Sequence, residues 1–504
     1  MKINVPYREQ IVVVIVYLYI MLFVYAALTK ILDFENFQNQ LGQSPMLSNF
    51  AEWIAVIVPA VELVIAFLLM IKKYRTIGLI GAYGLMLSFS CYIYIILHYS
   101  DFVPCSCGGI LEKMTWMQHL IFNIVFLLLS IISLILNSKP VQFTKGNDDT
   151  ERRRITIITL LVTFLSITII AILYFKSRAA LAQENPFIRR YVPASIYHVQ
   201  DLDLGTYGFY FAGGNSEKIY LGHSNSPLSV VEIGGNLQKR IDHEIRLERE
   251  DLPFRSTQVK VENLFFYFLD GTVPVIYKGS TNDWTAKIIM DANHYFSKTQ
   301  IITPFEIAYI TQDRESKENV VGKFSLLDSI KTNFSANILQ KQIDGIFDTD
   351  GMLFYNKSKN MLLYIYFYRN QYTLFDTELK VIGRRNTIDT TKFARIKPQF
   401  TNKTGARKMG SQPYVVNSQA AVHGNLLFIH STVKGKLQDP ITWDRASSID
   451  VYDFIKNEYV SSFYIYHNQK DKITGFFLTD NSLYVISGRN ITRYRLGRYL
   501  LSKL

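Results

Sequence analysis

Residues 11–29 read IVVVIVYLYIMLFVYAALT and contain no charged side chain. About 20 apolar residues are needed to cross a bilayer as a helix, so this run is long enough to span one. It is also long for the apolar region of a signal peptide, and no Ala-x-Ala cleavage site follows it, so we expect it to be retained. Four further apolar runs follow, at residues 54–71, 77–97, 116–136 and 155–175. One such run would also suit a buried core helix, but five in succession predict a polytopic α-helical membrane domain.

The composition of the 504 residues agrees with a membrane protein and excludes several other classes. Hydrophobic residues make up 49% and charged residues 19%, a charge fraction below the roughly 25% of soluble domains. Intrinsic disorder is therefore excluded for most of the chain, and three cysteines exclude a disulfide-rich secreted scaffold. The net charge of +12 would suit nucleic acid, but the clustering of apolar residues indicates the lipid bilayer as the first partner.

The distribution of Lys and Arg between the short loops predicts the orientation of these helices. Positive charges occur at the N-terminus, at Lys72, Lys73 and Arg75, and again in residues 139–154. These three segments lie on one side of a five-helix arrangement, which is therefore predicted to be cytoplasmic. Residues 32–52 and 98–115 would face outward, as would everything after residue 176. We expect a bacterial inner-membrane protein with a cytoplasmic N-terminus and a periplasmic C-terminal domain.

The C-terminal part has the pattern of an all-β domain. Short aromatic and β-branched segments alternate with turn signals such as Gly213-Gly214-Asn215 and Asp350-Gly351. The theme recurs about every 40–55 residues, the period of a four-stranded propeller blade. We predict a β-propeller of six or seven blades; a large β-sandwich or two smaller β domains is the alternative. The predicted boundaries are 1–140 for four transmembrane helices, 141–178 for a cytoplasmic linker and the fifth helix, and 179–504 for the β domain.

A basic segment interrupts this β domain. Between residues 384 and 413 the only acidic residue is Asp389, whereas eight residues are basic: Arg384, Arg385, Lys392, Arg395, Lys397, Lys403, Arg407 and Lys408. The segment is interpreted either as a solvated loop or as a docking loop for an acidic partner or for anionic headgroups. Nucleic acid is not expected in an exported location. The nearby Asp348-Thr349-Asp350-Gly351 cluster is predicted to be a hairpin turn rather than a calcium loop, because Lys359 occupies the place of the twelfth ligand.

All three cysteines belong to the membrane half. Cys105 and Cys107 lie in the outward loop before the fourth long helix, and Thr115 is a predicted N-cap for that helix. A ring closed by cysteines two positions apart is small and strained, which favours a redox-active pair over a structural disulfide. A free dithiol or a metal site is the alternative. Cys91, within the third long helix, is a further candidate redox residue, or else a small buried hydrophobe.

Four polar or aromatic residues of the helices add candidate chemistry. Trp116, His119 and Asn123 are spaced to lie on one face of a helix, and His119 could exchange protons with a thiol. Glu62 lies near the middle of the second long helix, where a carboxyl group is costly and therefore indicates a functional site. It is predicted to pair with Lys30 or to bond His119 or a tyrosine, and a purely structural bond between helices is the alternative.

These motifs together resemble the MauE/DoxX-like membrane proteins. The resemblance rests on residues 25–37, on the Pro59-x-x-Glu62 helix and on the Cys-Ser-Cys-Gly-Gly loop, and it covers about residues 8–140. It implies a four-helix bundle akin to that of vitamin K epoxide reductase. The MauE branch is associated with disulfide formation during methylamine dehydrogenase maturation, and DoxX relatives with quinone-coupled sulfur redox chemistry. Vitamin K epoxide reductases have a C-x-x-C pair and a second pair of cysteines, whereas this chain has C-x-C and one further cysteine.

Two hypotheses about function follow. In the first, the protein is a thiol–disulfide redox protein, whose Cys105–Cys107 pair exchanges disulfides with an exported or thioredoxin-like client recruited by the propeller. His119 and Cys91 would assist, and a quinone would bind near Glu62, Trp116 and Asn123. In the second, the protein is a non-enzymatic anchor or scaffold for subunits of a cell-envelope complex, and the propeller is its interaction module.

Overall fold

The computed structural model describes residues 5–44, 46–47, 50–99, 114–137, 148–181, 185–291, 294–327, 330–400, 407–467 and 471–504. The chain forms two compact units. The helical unit comprises residues 1–183 together with residues 396–413, and the β unit comprises residues 184–395 and 414–504.

The described part of the helical unit is built from long apolar helices. Its helices are α1 (Val5–Leu32), α2 (Phe34–Gln43), α3 (Ala51–Met70), α4 (Arg75–Tyr99), α5 (Trp116–Asn137) and α6 (Asp148–Leu181). Five of them, all except α2, are long and apolar enough to cross a membrane. The five predicted runs are therefore confirmed as helices of transmembrane length. The short helix α2 was not predicted.

Four of the long helices form a closed ring of contacts. α1 packs on α3 and α5, and α4 packs on the same two helices. α6 packs on α4, where Gly84 permits a close approach: a Cβ there would lie 2.6 Å from Cγ1 of Val162. The hydroxyls of Tyr83 and Thr163 are hydrogen-bonded at 2.8 Å in the same interface. Small residues and hydroxyl pairs of this kind are the usual means of packing helices within a membrane.

The remaining elements are mostly strands. They are β1 (Ile196–Asp203), β2 (Phe209–Gly214), β3 (Lys218–His223), β4 (Ser229–Gly234), β5 (Arg240–Glu244), β6 (Arg246–Leu247), β7 (Thr257–Glu262), β8 (Phe265–Asp270), β9 (Val275–Ser280), β10 (Thr285–Asp291), β11 (Lys298–Thr303), β12 (Glu306–Gln312), β13 (Asn319–Ser325), β14 (Lys331–Ser335), β15 (Gly351–Asn356), β16 (Met361–Tyr366), β17 (Gln371–Asp376), β18 (Val381–Asn386), β19 (Pro398–Phe400), β20 (Arg407–Met409), β21 (Asn417–His423), β22 (Leu426–Ser431), β23 (Ala446–Asp453), β24 (Glu458–Tyr466), β25 (Ile473–Leu478), β26 (Ser482–Ser487) and β27 (Asn490–Leu496). Two short helices, α7 (Pro440–Arg445) and α8 (Arg498–Leu501), complete the described elements.

The strands of the β unit form repeated four-stranded antiparallel sheets. The sheets β11–β14, β15–β18 and β21–β24 each follow chain order, and a fourth joins β25, β26 and β27 to β1. β2–β5 and β7–β10 repeat the same arrangement, and a parallel bridge between Gly213 and Val261 links them into one larger sheet with β6. The repetition confirms an all-β, propeller-like domain.

The ends of the β unit are joined by strand pairing. β1 lies at the start of the unit and pairs antiparallel with β27 near its end, from Ile196 with Leu496 to Asp203 with Asn490. The first strands of neighbouring sheets also touch: β2 contacts β7 and β25, β15 contacts β11 and β21, and β21 contacts β25. The side chains between adjacent sheets form the buried core, with aromatic residues such as Phe266 and Tyr364 fully enclosed.

The predicted hairpin turn at residues 348–351 is wrong. β14 and β15 flank this segment but belong to different sheets, so the segment connects two sheets rather than two paired strands. Asp348 instead accepts hydrogen bonds from the backbone N–H groups of Ile343 and Gly345, at 3.0 and 2.6 Å. Its carboxylate stabilises the connection from within.

Candidate functional site

A cavity of about 570 Å³ lies inside the helical unit and is lined by all six helices. Most lining side chains are apolar, among them Phe23, Phe37 and Phe126. The charged or polar side chains at its wall include Lys30, Glu62, Ser88, His119 and Asn123. A mostly apolar cavity of a few hundred Å³ with a few converging polar groups is the usual form of a small-molecule site.

Lys30 and Glu62 form an ion pair at the wall of this cavity. Lys30 lies in the last turn of α1 and Glu62 in the middle of α3, and side-chain exposure is 15% for Lys30 and 1% for Glu62. The ammonium group also lies 5.7 Å from the ring of Phe37 and 5.8 Å from that of Phe89. Oε1 of Glu62 accepts from Lys30, whereas Oε2 is buried without a hydrogen-bond partner among the described residues. The pair thus leaves one acceptor available at the cavity.

Trp116, His119 and Asn123 of α5 line the same cavity. The ring of Trp116 stacks near that of His119, with centroids 6.3 Å apart, and meets Tyr92 of α4 edge-on at 6.5 Å. Nδ1 of His119 and Nδ2 of Asn123 are buried and make no hydrogen bond within the described residues. Asn123 is only 2% exposed, so its unpaired amide is costly unless a ligand or water completes it.

The first turn of α5 explains why these residues are held in place. The backbone N–H of Gln118 donates to Oγ1 of Thr115 at 3.3 Å, and Oε1 of Gln118 accepts from the N–H of Thr115 at 2.9 Å. This reciprocal arrangement is a capping box, and it confirms Thr115 as the cap of the helix. The helix therefore begins where Trp116 and His119 face the cavity.

The structure describes one of the three cysteines that were predicted to take part in redox chemistry. Cys105 and Cys107 lie outside the described residues, so their role stays a prediction. Cys91 is described and is not in a disulfide. It packs in an apolar cluster with side chains of α3, α4 and α5, and it is not among the residues that line the cavity.

Helix α2 is a part of the site that the sequence analysis missed. Phe37 and Leu41 of this helix are buried and line the cavity. Just beyond its end, Oγ of Ser44 accepts a hydrogen bond of 2.8 Å from the hydroxyl of Tyr92, which fastens the helix to α4. The signal was present in the sequence, because Phe34, Phe37 and Leu41 recur with helical spacing within a segment taken to be a loop.

The basic segment is divided between the two units. Arg384 and Arg385 lie on β18, and Lys392 and Arg395 follow it in the β unit, where the guanidinium of Arg395 lies 5.1 Å from the ring of Tyr414. Lys397, Arg407 and Lys408 belong to the helical unit. Lys403 lies outside the described residues.

Within the helical unit, this inserted segment contacts α2. Nζ of Lys408 donates to Oδ1 of Asn36 at 3.2 Å, and the backbone N–H of Gln412 donates to the carbonyl of Gly42 at 3.0 Å. The described basic residues therefore belong to two different units, and their role in partner binding stays a prediction. Within the described ranges, no group of three or more His, Cys, Asp or Glu side chains is placed to hold a metal ion.

Part of the helical unit matches the model of a known protein family. Residues 8–136 match the family model described as methylamine utilisation protein MauE. No curated protein sequence matches the chain.

Among solved structures, a DUF4221 family member from Bacteroides vulgatus is 12% identical, with a TM-score of 0.38, and the alignment covers 62% of this chain and 98% of that one. The β-propeller domain of Myceliophteria thermophila Cps50 (Swd1) is 7% identical, with a TM-score of 0.31 and coverage of 60% and 99%. A nidogen/laminin complex is 9% identical, with a TM-score of 0.32 and coverage of 51% and 80%. These TM-scores are too low to establish a shared fold. The chain therefore contains, at residues 8–136, a membrane domain that matches the MauE family, followed by an all-β, propeller-like unit.

Proposed function

We propose that this protein is a membrane thiol–disulfide redox protein, in which Cys105 and Cys107 exchange disulfides with an exported client. The observation that carries the proposal is the cavity of the helical unit. The Lys30–Glu62 pair lines this cavity, and so do His119 and Asn123, each of which has a buried polar atom without a partner among the described residues. Met114 also lines this cavity, and Cys107 precedes it by seven residues. Seven residues span at most about 25 Å, so the dithiol can lie no farther than that from Met114.

The cavity fits a quinone in size and in polarity. Its apolar walls suit a ring with an aliphatic tail, and a volume of about 570 Å³ lies within the range of roughly 300–1,000 Å³ for small-molecule sites. Nδ2 of Asn123 is a donor for a carbonyl oxygen, and Oε2 of Glu62 is an acceptor for a hydroxyl. When bound, a quinone would take up the two electrons and two protons that are released as two thiols become a disulfide.

The residues of the chain would then have distinct tasks. Asn123 would orient the bound ring by donating a hydrogen bond. His119 would hold or release a proton at Nδ1, and Glu62 would do so at Oε2, while Lys30 keeps Oε1 of Glu62 in place. In client exchange, a client thiolate would attack the Cys105–Cys107 disulfide, form a mixed disulfide and release one cysteine thiolate. A second client thiolate would then resolve the mixed disulfide, which leaves a client disulfide and the reduced pair that the quinone reoxidises.

The proposal also covers arrangement and location. We take the ring of α1, α3, α4 and α5 to be a four-helix bundle and the six four-stranded arrangements to be six blades of a propeller that recruits the client. The excess of Lys and Arg in alternate loops supports an inner-membrane location, with the N-terminus in the cytoplasm and the β unit in the periplasm.

The decisive experiment is the redox titration of the Cys105–Cys107 pair in membranes, by thiol trapping and mass spectrometry. A reversible pair with a potential above about −250 mV lies in the range of thiol-exchange catalysts. A Cys107→Ser or Cys105→Ser variant should then accumulate mixed disulfides with a client.

Cys91→Ser is the matched control, because Cys91 is a cysteine of the same unit that does not line the cavity, and it should leave titration and trapping unchanged. A pair that stays oxidised to below about −300 mV, or that never forms a bond, would overturn the proposal. The protein would then be a membrane-anchored scaffold.

A further inference from the structure

At the start of the β unit, hydrogen bonds hold three chain segments together, near residues 185, 390 and 434. The backbone N–H of Asn185 donates to the carbonyl of Lys434 at 3.2 Å, and the N–H of Lys436 donates to the carbonyl of Phe187 at 2.9 Å. The N–H of Thr390 donates to Oδ1 of Asn185 at 3.0 Å. Segments beginning near residues 185, 390 and 434 therefore lie side by side at this point.

Each of these segments exposes a large apolar side chain. We call the set the entry patch; it comprises Ile188, Phe393, Leu437 and Ile441, with the exposed lysines Lys392 and Lys436. Phe393 is 73% exposed and Leu437 is 80% exposed. A group of exposed apolar residues beside basic ones is typical of an interaction surface rather than of ordinary protein surface.

The backbone of Leu437 strengthens this interpretation. Its φ of 67° lies in the left-handed region, as do those of Leu237 at 60° and Leu379 at 62°. Such a conformation is costly for a leucine. Leu237 and Leu379 are buried, so packing within the chain offsets the cost, whereas Leu437 projects outward and gains no such burial. Leu437 therefore lacks the burial that offsets this cost at Leu237 and Leu379.

The neighbouring membrane helix indicates what that contact is. Residues 153–176 of α6 are long and apolar enough to span a bilayer, and α6 ends at Leu181. Only three residues separate Leu181 from Asn185, so their Cα atoms lie at most about 14 Å apart and the entry patch is tethered near the bilayer surface. Apolar side chains partition into the boundary between headgroups and acyl chains, and lysines bind lipid phosphates. We infer that the entry patch inserts into the headgroup region of the bilayer that holds α6.

The inference is tested with a nitroxide spin label at position 437 of the full-length protein in lipid nanodiscs that contain phosphatidylglycerol. The three native cysteines are changed to serine, and the label is attached to Leu437→Cys. Leu264, in the turn between β7 and β8, is 65% exposed, and Leu264→Cys is the matched control. The label at 437 should be several-fold less accessible to a water-soluble nickel chelate than the label at 264, and more accessible to oxygen.

Two outcomes would overturn the inference. Equal accessibility at both positions would mean that the patch is in water, and shielding of position 437 from both reagents would mean that protein covers it. A second measurement needs no substitution: photoactivatable phosphatidylglycerol is cross-linked to the unaltered protein and the adducts are mapped by mass spectrometry. Adducts should fall on residues 392–393 and 434–445; their absence there, or equal labelling around Leu264, would contradict lipid contact.

Discussion

Lys30 of α1 and Glu62 of α3 form an ion pair across two helices, and only 1% of the Glu62 side chain is exposed. A charge buried to this extent is tolerated only because its partner lies beside it. The pair therefore joins two helices and also supplies the cavity with an unused carboxylate oxygen.

Removing one partner of this pair should be far more damaging than removing both. We expect Lys30→Met to lower the free energy of unfolding by about 3–5 kcal/mol, because it leaves Glu62 buried without its cation. The double variant Lys30→Met/Glu62→Leu should recover most of that loss. Unfolding in mixed micelles measures both, and Lys72→Met, at an exposed position of the same unit, is the control. Equal losses in the single and double variants would contradict a coupled pair.

Asn123 should contribute to ligand affinity through its buried, unpaired amide. We expect Asn123→Leu to weaken binding of a soluble quinone analogue by about fivefold, since one hydrogen bond contributes about 1 kcal/mol. Quenching of Trp116 fluorescence measures the binding, because this indole lines the cavity. Asn137→Leu removes an amide from the far end of the same helix and should leave affinity unchanged. Unchanged affinity in Asn123→Leu would exclude this amide from the site.

Gly84 should be required for the packing of α6 on α4. Gly84→Ala would place a Cβ 2.6 Å from Cγ1 of Val162, which we expect to cost about 1–3 kcal/mol of unfolding free energy. Val162→Ala removes the obstructing atom, so the double variant should lose clearly less than the sum of the two single variants. A double-mutant cycle of unfolding in micelles gives this coupling energy. Additive effects would mean that the two positions do not touch.

His430 should make the β unit sensitive to acid. Burial, together with the positive charges of His467, Lys472 and Arg189, lowers the pKa of His430 to about 3. The folded protein therefore keeps this ring neutral, while the unfolded chain takes up a proton below about pH 6.5. Its contribution to stability is complete above that pH and is lost as the pH falls towards 3, with about 2 kcal/mol lost by pH 5.

The pH dependence of unfolding for the full chain in micelles tests this sign. His430→Gln should flatten the slope between pH 7 and pH 5, whereas His198→Gln, at a side chain that is 54% exposed, should not change it. An unchanged slope in His430→Gln would show that acid sensitivity arises elsewhere.

Much of the fold was predictable because it depends on local pattern. An uncharged apolar run as long as residues 11–29 is typical of a transmembrane helix. The alternation of short strands and turns predicted an all-β unit with propeller-like repetition. Helix α2 was missed because its helical pattern is only ten residues long, and the packing of Phe37 and Leu41 into the apolar cluster is visible only in the tertiary structure. The segment at Asp348 was misjudged because a turn motif does not reveal which strands pair on either side.

The sequence by itself determined that five apolar helices precede a repeated β unit, since hydrophobic length and periodicity act within a single segment. It also indicated that Glu62, Trp116, His119 and Asn123 were unusual for their surroundings. Only the tertiary structure brought these residues to one cavity with Lys30, divided the basic segment between two units and left Cys91 in an apolar cluster. The reason is that these arrangements depend on packing between segments that are distant in the chain, and no local sequence pattern specifies that packing.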